Sequence, residues 1–325
     1  MRILVTGGAG YIGSHAVRWL LGQGHEVWVI DNLSRGHAWA VPADRLHVTD
    51  LADVPAVAAI LRDRQIDSVM HFAALAQVGE SVQEPEMYYL GNLTVTLGLL
   101  RAMRSVGVRR LVFSSTCATY GNPRFTPLTE DHPQEPINPY GRTKLAIEWA
   151  LADYAAAYGL AYAALRYFNA AGAAPGGGLG EAHSPETHLI PLVLETALGQ
   201  RDSVRIFGDD YPTPDGTCIR DYLHVDDLAE AHALALTQMQ PGRGLCLNLG
   251  TGRGHSVREI IAACERVTGR AIPVEIGPRR LGDPPVLVAS TAAAAQALGW
   301  RARYTEIDEI IRTAWEWHRQ RSAGG

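Results

Sequence analysis

The chain has 325 residues, 47% of them hydrophobic and 19% charged, with a formal net charge of −5 at pH 7. This is the balance of a globular protein able to bury a sizeable core, and it excludes the basic surplus that recruits nucleic acid or anionic lipid. No run approaches 18 uninterrupted apolar residues, Cys117, Cys218, Cys246 and Cys264 form no CxxC pair, and the histidines are not clustered, so neither a membrane span, a disulfide framework nor a zinc site is suggested.

The chain opens on the strand-like run "MRILVTGG" without a charged leader and apolar core, which predicts a cytoplasmic protein. In chain order the pattern reads as strand 2–6, helix 11–23, strand 26–30, strand 45–48, helix 53–63, strand 67–72, helix 86–106, strand 109–115, helix 138–158 and strand 162–168. Strands such as "RRLVFSS" and "DSVMHFA" are apolar nearly throughout, as strands covered by helices on both faces are. That alternation predicts an α/β protein built on a doubly wound parallel sheet of the Rossmann type. At Ala170 the texture changes to the glycine- and proline-loaded "AAGAAPGGGLGEAHSP", so one domain is expected over residues 1–169 and a second, smaller mixed α/β domain over 170–325. Helical patterns follow at 226–238, 257–267 and 306–319. A segment near 218–251 is expected to return to the first domain.

"VTGGAGYIGSH" sets Gly7, Gly10 and Gly13 at GxxGxxG spacing between a strand and a helix. Without side chains the turn tightens, a pyrophosphate can approach the backbone, and the helix N-terminus offers free N–H groups to the anion. Asp31 ends the second strand in "VWVIDN", where a carboxylate accepts ribose hydroxyls and repels a 2′-phosphate, favouring NAD over NADP.

In "INPYGRTKLAIEWA" Tyr140 and Lys144 stand four residues apart on one helix face. A free tyrosine has a pKa of about 10, so to act as a base near neutral pH it needs cations beside its phenolate, which Lys144 and a nicotinamide ring supply. YxxxK alone is equally a solvated helix face.

The order "TGGAGYIG", "DNLS", "HFAA", "FSST", "PYGRTK", "LRYFNAAG" resembles the extended short-chain dehydrogenases, from Met1 to about His318. "FGDDYPTPDGT", "RDYLHVDDLAEAH" and "PRRLGDPPVLVAS" narrow the resemblance to the UDP-glucose 4-epimerase (UDP-galactose 4-epimerase) family. The resemblance implies that Tyr140 takes the sugar 4-hydroxyl proton, that Lys144 binds the nicotinamide ribose and lowers the tyrosine pKa, and that Thr116 bonds the same oxygen. It implies further NAD contacts at Tyr11, Ile12, Asn32, Asp50, Leu51, Phe72, Ala73, Ala74, Asn92, Ser114 and Tyr167. For a UDP-hexose it implies Asn169, Arg220, Arg280 and Asp283 around the diphosphate and uridine ribose, Phe207 near uracil, and Leu189. His188 in "ETHLIP" is read either as a substrate contact or as a capping or packing histidine. Leu287 aligns with a position that gates the sugar C2 substituent, where leucine is neither the bulky tyrosine nor the small residue of relatives; it is read either as that gate or as a core leucine with no substrate contact. A homodimer paired through the helices at 86–106 and 138–158 is expected on the same ground.

Two rival readings begin from the same residues. A nucleotide-sugar dehydratase or decarboxylase shares the first oxidation, but dehydratases resemble one another in an Asp-Glu pair after the active-site threonine, where this chain has Cys117 and Ala118. A cofactor-sensing binding module has no use for the Thr116, Tyr140 and Lys144 set.

Overall fold

The computed structural model describes residues 1–280 and 282–324. Seven strands form one sheet in the order Gly244–Leu249, Ala161–Tyr167, Arg110–Thr116, Ser68–His71, Arg2–Thr6, Glu26–Asp31, Leu46–Val48. Every neighbouring pair is parallel. From Arg2–Thr6 the chain winds outward to Leu46–Val48, then crosses back to Ser68–His71 on the other side. The strand order thus reverses beside the first strand, and the crevice at the carboxyl ends of these two strands is where such sheets take ligands.

Alternation along each strand sends its side chains into two separate cores. Ile3 and Val5 pack with Val17 and Leu20 of helix Tyr11–Gly22 and with Leu228 and Leu236 of helix Val225–Gln238. Leu4 and Val69 face the opposite layer with Leu61, Leu100, Met103 and Leu151. Every one of these side chains is at most 1% exposed, which explains why the strands carry no alternating polar residues.

The expected elements of the first half match their bounds within a residue except for one helix, and a short helix Val78–Gln83 was not expected. The segment expected as one helix at 86–106 divides into Pro85–Tyr88, a π-helical stretch Tyr89–Thr94 and an α-helix Val95–Val106 closed by Gly107 in the left-handed region (φ 83°). The wider turn carries Asn92, whose side chain is occupied with the backbone of Leu75. Helices adopt such a turn at functional positions, and apolar periodicity carries no signal of it.

In the second half of the chain, from Asn169 onward, Asn169–Ala171, Gly254–Ser256 and Val286–Leu287 all pair with Ile219–His224, while Val274–Gly277 pairs with Val204–Phe207. A third core of Ile190, Leu194, Val204, Ile206, Ile260 and Ile311 lies beneath them. The register sets Asn169 against Tyr222 and Leu287 against Arg220, so one strand gathers residues from three distant stretches of sequence. No described helix is long and apolar enough to cross a membrane.

Candidate active site

Asn138 caps helix Pro139–Tyr158, its side chain accepting the Gly141 N–H at 2.8 Å, and Pro139 supplies the fixed φ of the first turn. Tyr140 therefore enters the cleft from the start of the helix. A Cβ at Gly141 would fall 2.4 Å from the Ala118 carbonyl oxygen; only glycine lets the helix press this closely on the turn after strand Arg110–Thr116. The approach sets the Thr116 hydroxyl close to Tyr140, where it acts to lower the tyrosine pKa. One helical turn on, Lys144 donates from Nζ to the Ser114 carbonyl at 2.9 Å and stands 5.9 Å from the Tyr140 ring centroid.

Burial dominates the electrostatics among these groups. It holds the Tyr140 hydroxyl well above the usual tyrosine range, outweighing the nearby Thr116 hydroxyl that lowers it, and it pulls the Lys144 ammonium down to about 7, against the opposing pull of Glu148. Within the protein itself, then, Lys144 does not bring the tyrosine to neutral range. A further positive charge in the cleft stabilises the phenolate without that burial cost to a lysine.

The expected dinucleotide residues collect at the strand ends. Gly7 adopts φ 68°, and a Cβ there would meet the Ala73 nitrogen at 2.5 Å, while a Cβ at Gly13 would meet the Gly7 oxygen at 2.1 Å. Gly10 precedes helix Tyr11–Gly22 with no side-chain cap, and no acidic residue stands in the first turn. The first N–H groups therefore remain available to an anion, and the cradle fits a pyrophosphate. Asp31 is 8% exposed and fixed by the N–H groups of Ala9 (3.0 Å) and Leu33 (2.8 Å). Burial raises its pKa against those two bonds. Gly36 closes over it, since a Cβ there would come within 2.9 Å of both carboxylate oxygens.

Around this cradle, Asn32 donates to Asp50 at 3.3 Å, and the Phe72 ring tilts against His232 at 4.8 Å. Phe72 and Ala73 both donate backbone N–H groups to Thr6, with Ala74 following in the same segment. The Ser114 and Tyr167 hydroxyls bond each other at 2.6 Å. The side chains of other expected residues are engaged within the fold. Leu51 is buried in the core of Leu4 and Val69, and Ile12 packs on that of Ile3 and Val5. Tyr11 donates to the Gly172 carbonyl at 2.6 Å, tying the first helix to the glycine-rich stretch. Asn92 spends its amide on Leu75 and Thr143, which steadies the cleft wall beside Tyr140.

Of the residues expected to meet a sugar nucleotide, Asn169, His188 and Leu189 line a small pocket together with Glu181, Tyr222 and Trp317. Arg220 pairs with Asp283, and Arg280 lies 4.0 Å over the Phe207 ring. Leu287 is half-buried against Tyr120, Leu128, Phe168 and Ala289, in company with Cys117, the residue after Thr116. His188 occupies the N-cap position of helix Leu189–Ala197 but makes no capping bond; its Nδ1 meets Glu181 at 2.5 Å instead.

The model of the NAD dependent epimerase/dehydratase family matches residues 3–250. The chain is 52% identical to UDP-glucose 4-epimerase of Halalkalibacterium halodurans over 325 residues, covering 100% of this chain and 97% of that one. The chain belongs to the UDP-glucose 4-epimerase family. Among solved members, UDP-glucose 4-epimerase from Brucella ovis in complex with NAD superposes with a TM-score of 0.93 at 51% identity, over 97% of each chain. The UDP-Glc/GlcNAc 4-epimerase of Campylobacter jejuni superposes at 0.85 and 39% identity, over 98% of this chain and 99% of that one.

This member of the epimerase family also holds groups that its sequence did not announce. Glu148, two turns beyond Tyr140, forms a buried pair with Arg166 of strand Ala161–Tyr167 at 2.5 Å. Its only sequence signal is the eight-residue offset from Tyr140, which repeats the helix face of Lys144. The absence of clustered histidines in the sequence reading is corrected by the fold: the loop ahead of Leu189 gathers Glu181, His183, Glu186 and His188, with one donor atom of each within 4.8 Å of the others. The spacing ExHxxExH was the available signal.

Proposed function

We propose that this protein interconverts UDP-glucose and UDP-galactose by reversible oxidation at sugar C4, with NAD retained through the cycle. The observation that carries the reading is the buried set of Thr116, Tyr140 and Lys144, standing beside the glycine cradle in a chain 52% identical to a UDP-glucose 4-epimerase. Gly7, Gly10 and Gly13 would hold the NAD pyrophosphate and Asp31 its adenosine ribose, which favours NAD over NADP. When bound, NAD supplies a reversible hydride acceptor and a positive charge beside Tyr140.

Thr116 orients the Tyr140 oxygen. Tyr140 takes the 4-hydroxyl proton as C4 is oxidised, and returns it when the 4-keto sugar, turned over in the cleft, is reduced on its opposite face. Lys144, anchored on the Ser114 carbonyl, steadies the phenolate while it carries charge. Arg220 and Arg280 suit a diphosphate through their planar donor forks. Cys117 supports this reading over a dehydratase, because burial pushes its thiol up to about 12, leaving no acid or base next to Thr116 near neutral pH.

The deciding assay is incubation of the purified protein with UDP-galactose and no added cofactor. UDP-glucose should accumulate, and denatured protein should release NAD and not NADP. Loss of water or CO2 would transfer the reading to the rival enzymes, and silence to the sensor.

Leu287 and Cys117, the residue after Thr116, pack against the same buried cluster, which supports a place for Leu287 in the wall near the sugar. A leucine there leaves more room than a tyrosine ring and offers no hydroxyl to the C2 substituent, so UDP-N-acetylglucosamine should be epimerised more slowly than UDP-glucose but measurably. Leu287→Tyr should abolish the former activity and spare the latter. An unchanged ratio of kcat/KM values would remove Leu287 from specificity.

The homodimer reading is supported by exposed apolar residues on the two segments concerned: Tyr89, Leu90 and Leu97, and Trp149 at 63% exposure. Sedimentation at the mass of one chain would overturn it. A cytoplasmic setting is supported by four cysteines that stand as free thiols. We further read residues 170–325, apart from the returning segment, as the UDP-sugar-binding part of the chain.

A further inference from the structure

We propose that Glu181, His183, Glu186 and His188 bind one divalent transition-metal ion of the zinc class, which fastens the loop leading into helix Leu189–Ala197. The four side chains can each present a donor atom within 4.8 Å of all the others. His183 Nδ1 lies 2.9 Å from Glu181 Oε1 and 3.8 Å from Glu186 Oε2, and His188 Nδ1 lies 3.3 Å from Glu186 Oε1. A tetrahedral zinc site with bonds of about 2.0–2.1 Å has donor-to-donor edges of roughly 3.3 Å. Small side-chain rotations bring the cluster to that shape.

Charge gives a second, independent argument. The side chains of Glu181 and Glu186 are 5% and 6% exposed and lie against the same two imidazoles. Among the described residues no lysine or arginine pairs with either carboxylate; Arg321 lines the adjoining cavity, but its guanidinium lies over the rings of Trp39 and Trp317. A dication balances both carboxylates and uses all four donors, which removes the cost of burying like charges together. Two nitrogens and two oxygens suit zinc and its neighbours, whereas magnesium and calcium take oxygen shells.

The loop is already braced as a metal site needs to be. The N–H groups of Thr187 and His188 both donate to Glu186 Oε1, at 2.7 and 2.8 Å, leaving Oε2 free to turn to an ion. Trp317 donates to the Glu181 carbonyl and His37 sits on the Ala182 carbonyl, each at 2.8 Å. Such outer contacts hold ligands in place. An open pocket lined by Glu181, His183 and Glu186 gives an ion its path in. Four protein donors leave no open position, which marks a structural ion and not a Lewis acid. Because Glu181 and His188 also line the cavity that holds Asn169 and Leu189, the ion would set one wall of the sugar-nucleotide side.

The test uses the full chain, stripped with a strong chelator and titrated with Zn²⁺ and, separately, Co²⁺. One equivalent of Zn²⁺ per chain should bind, with a rise of several degrees in Tm, and Co²⁺ should give the intense visible bands of tetrahedral coordination. Excess Mg²⁺ should not displace either ion. His183→Ala and the near-isosteric Glu186→Gln should each weaken zinc binding by at least the roughly 10–100-fold that loss of an outer-shell partner costs. Zinc uptake by wild type no greater than by these variants would overturn the site, as would an octahedral Co²⁺ spectrum or displacement by Mg²⁺. Should a variant fail to fold, wild-type stoichiometry and the Co²⁺ spectrum still decide.

Discussion

Replacing Tyr140 by phenylalanine is expected to lower kcat by about 10²- to 10⁴-fold, the usual loss when a positioned general base is removed. The ring itself should stay in place. It is 8% exposed, packs edge-on to Tyr88 at 6.4 Å and loses only the hydroxyl that meets Thr116. Affinity for NAD and for UDP should therefore change little, because neither the glycine cradle nor the Arg220 and Arg280 side is touched. The separation of kcat from binding is the signature to measure, by steady-state kinetics beside calorimetry with UDP. A variant that keeps more than about a third of wild-type kcat would exclude Tyr140 as the proton acceptor.

Glu148→Ala should be the most damaging substitution to stability. Glu148 accepts Arg166 Nε at 3.0 and 3.2 Å and Nη2 at 2.5 Å, and also accepts the Ser115 hydroxyl at 2.5 Å. Arg166 passes the network on to the Tyr120 hydroxyl at 2.9 Å, and Tyr120 to Asn248 at 2.7 Å. Both charged side chains are 5% exposed. Removing the carboxylate strands a buried guanidinium, which costs roughly 3–5 kcal/mol. For a domain of this size the fall in Tm should be on the order of 10 °C. Replacing both partners by apolar residues of similar volume should cost much less, since no uncompensated charge remains. Equal losses in the single and double variants, read by thermal unfolding at saturating NAD, would show that the pair contributes shape and not charge compensation. The network also ties helix Pro139–Tyr158 to strand Ala161–Tyr167, so the single variant should lose activity before it unfolds.

The sheet domain was legible in the sequence because its signals are local. Apolar strands, a glycine turn between strand and helix, and an acid at the end of the next strand each follow from the backbone geometry of a few adjacent residues. The Tyr140 and Lys144 pair was legible for the same reason: one helix sets their spacing, and Asn138 and Pro139 fix where that helix begins.

Tertiary structure decided what depends on residues far apart in the chain. Strand Ile219–His224 sets Leu287 beside Arg220 and Asn169 beside Tyr222, a pairing that no local pattern encodes. The π-helical turn at Asn92 answers to Leu75, across a loop, and Glu148 finds its charge partner on a neighbouring strand. His188 sits where a cap was one reading, yet turns to Glu181, because the loop folds two glutamates and two histidines onto one another. The ionisation of the central pair was also out of reach of the sequence. A four-residue spacing predicts a lysine near a tyrosine, but how strongly burial opposes charge on both is set by the whole of the surrounding fold, which here pulls Lys144 down to about 7.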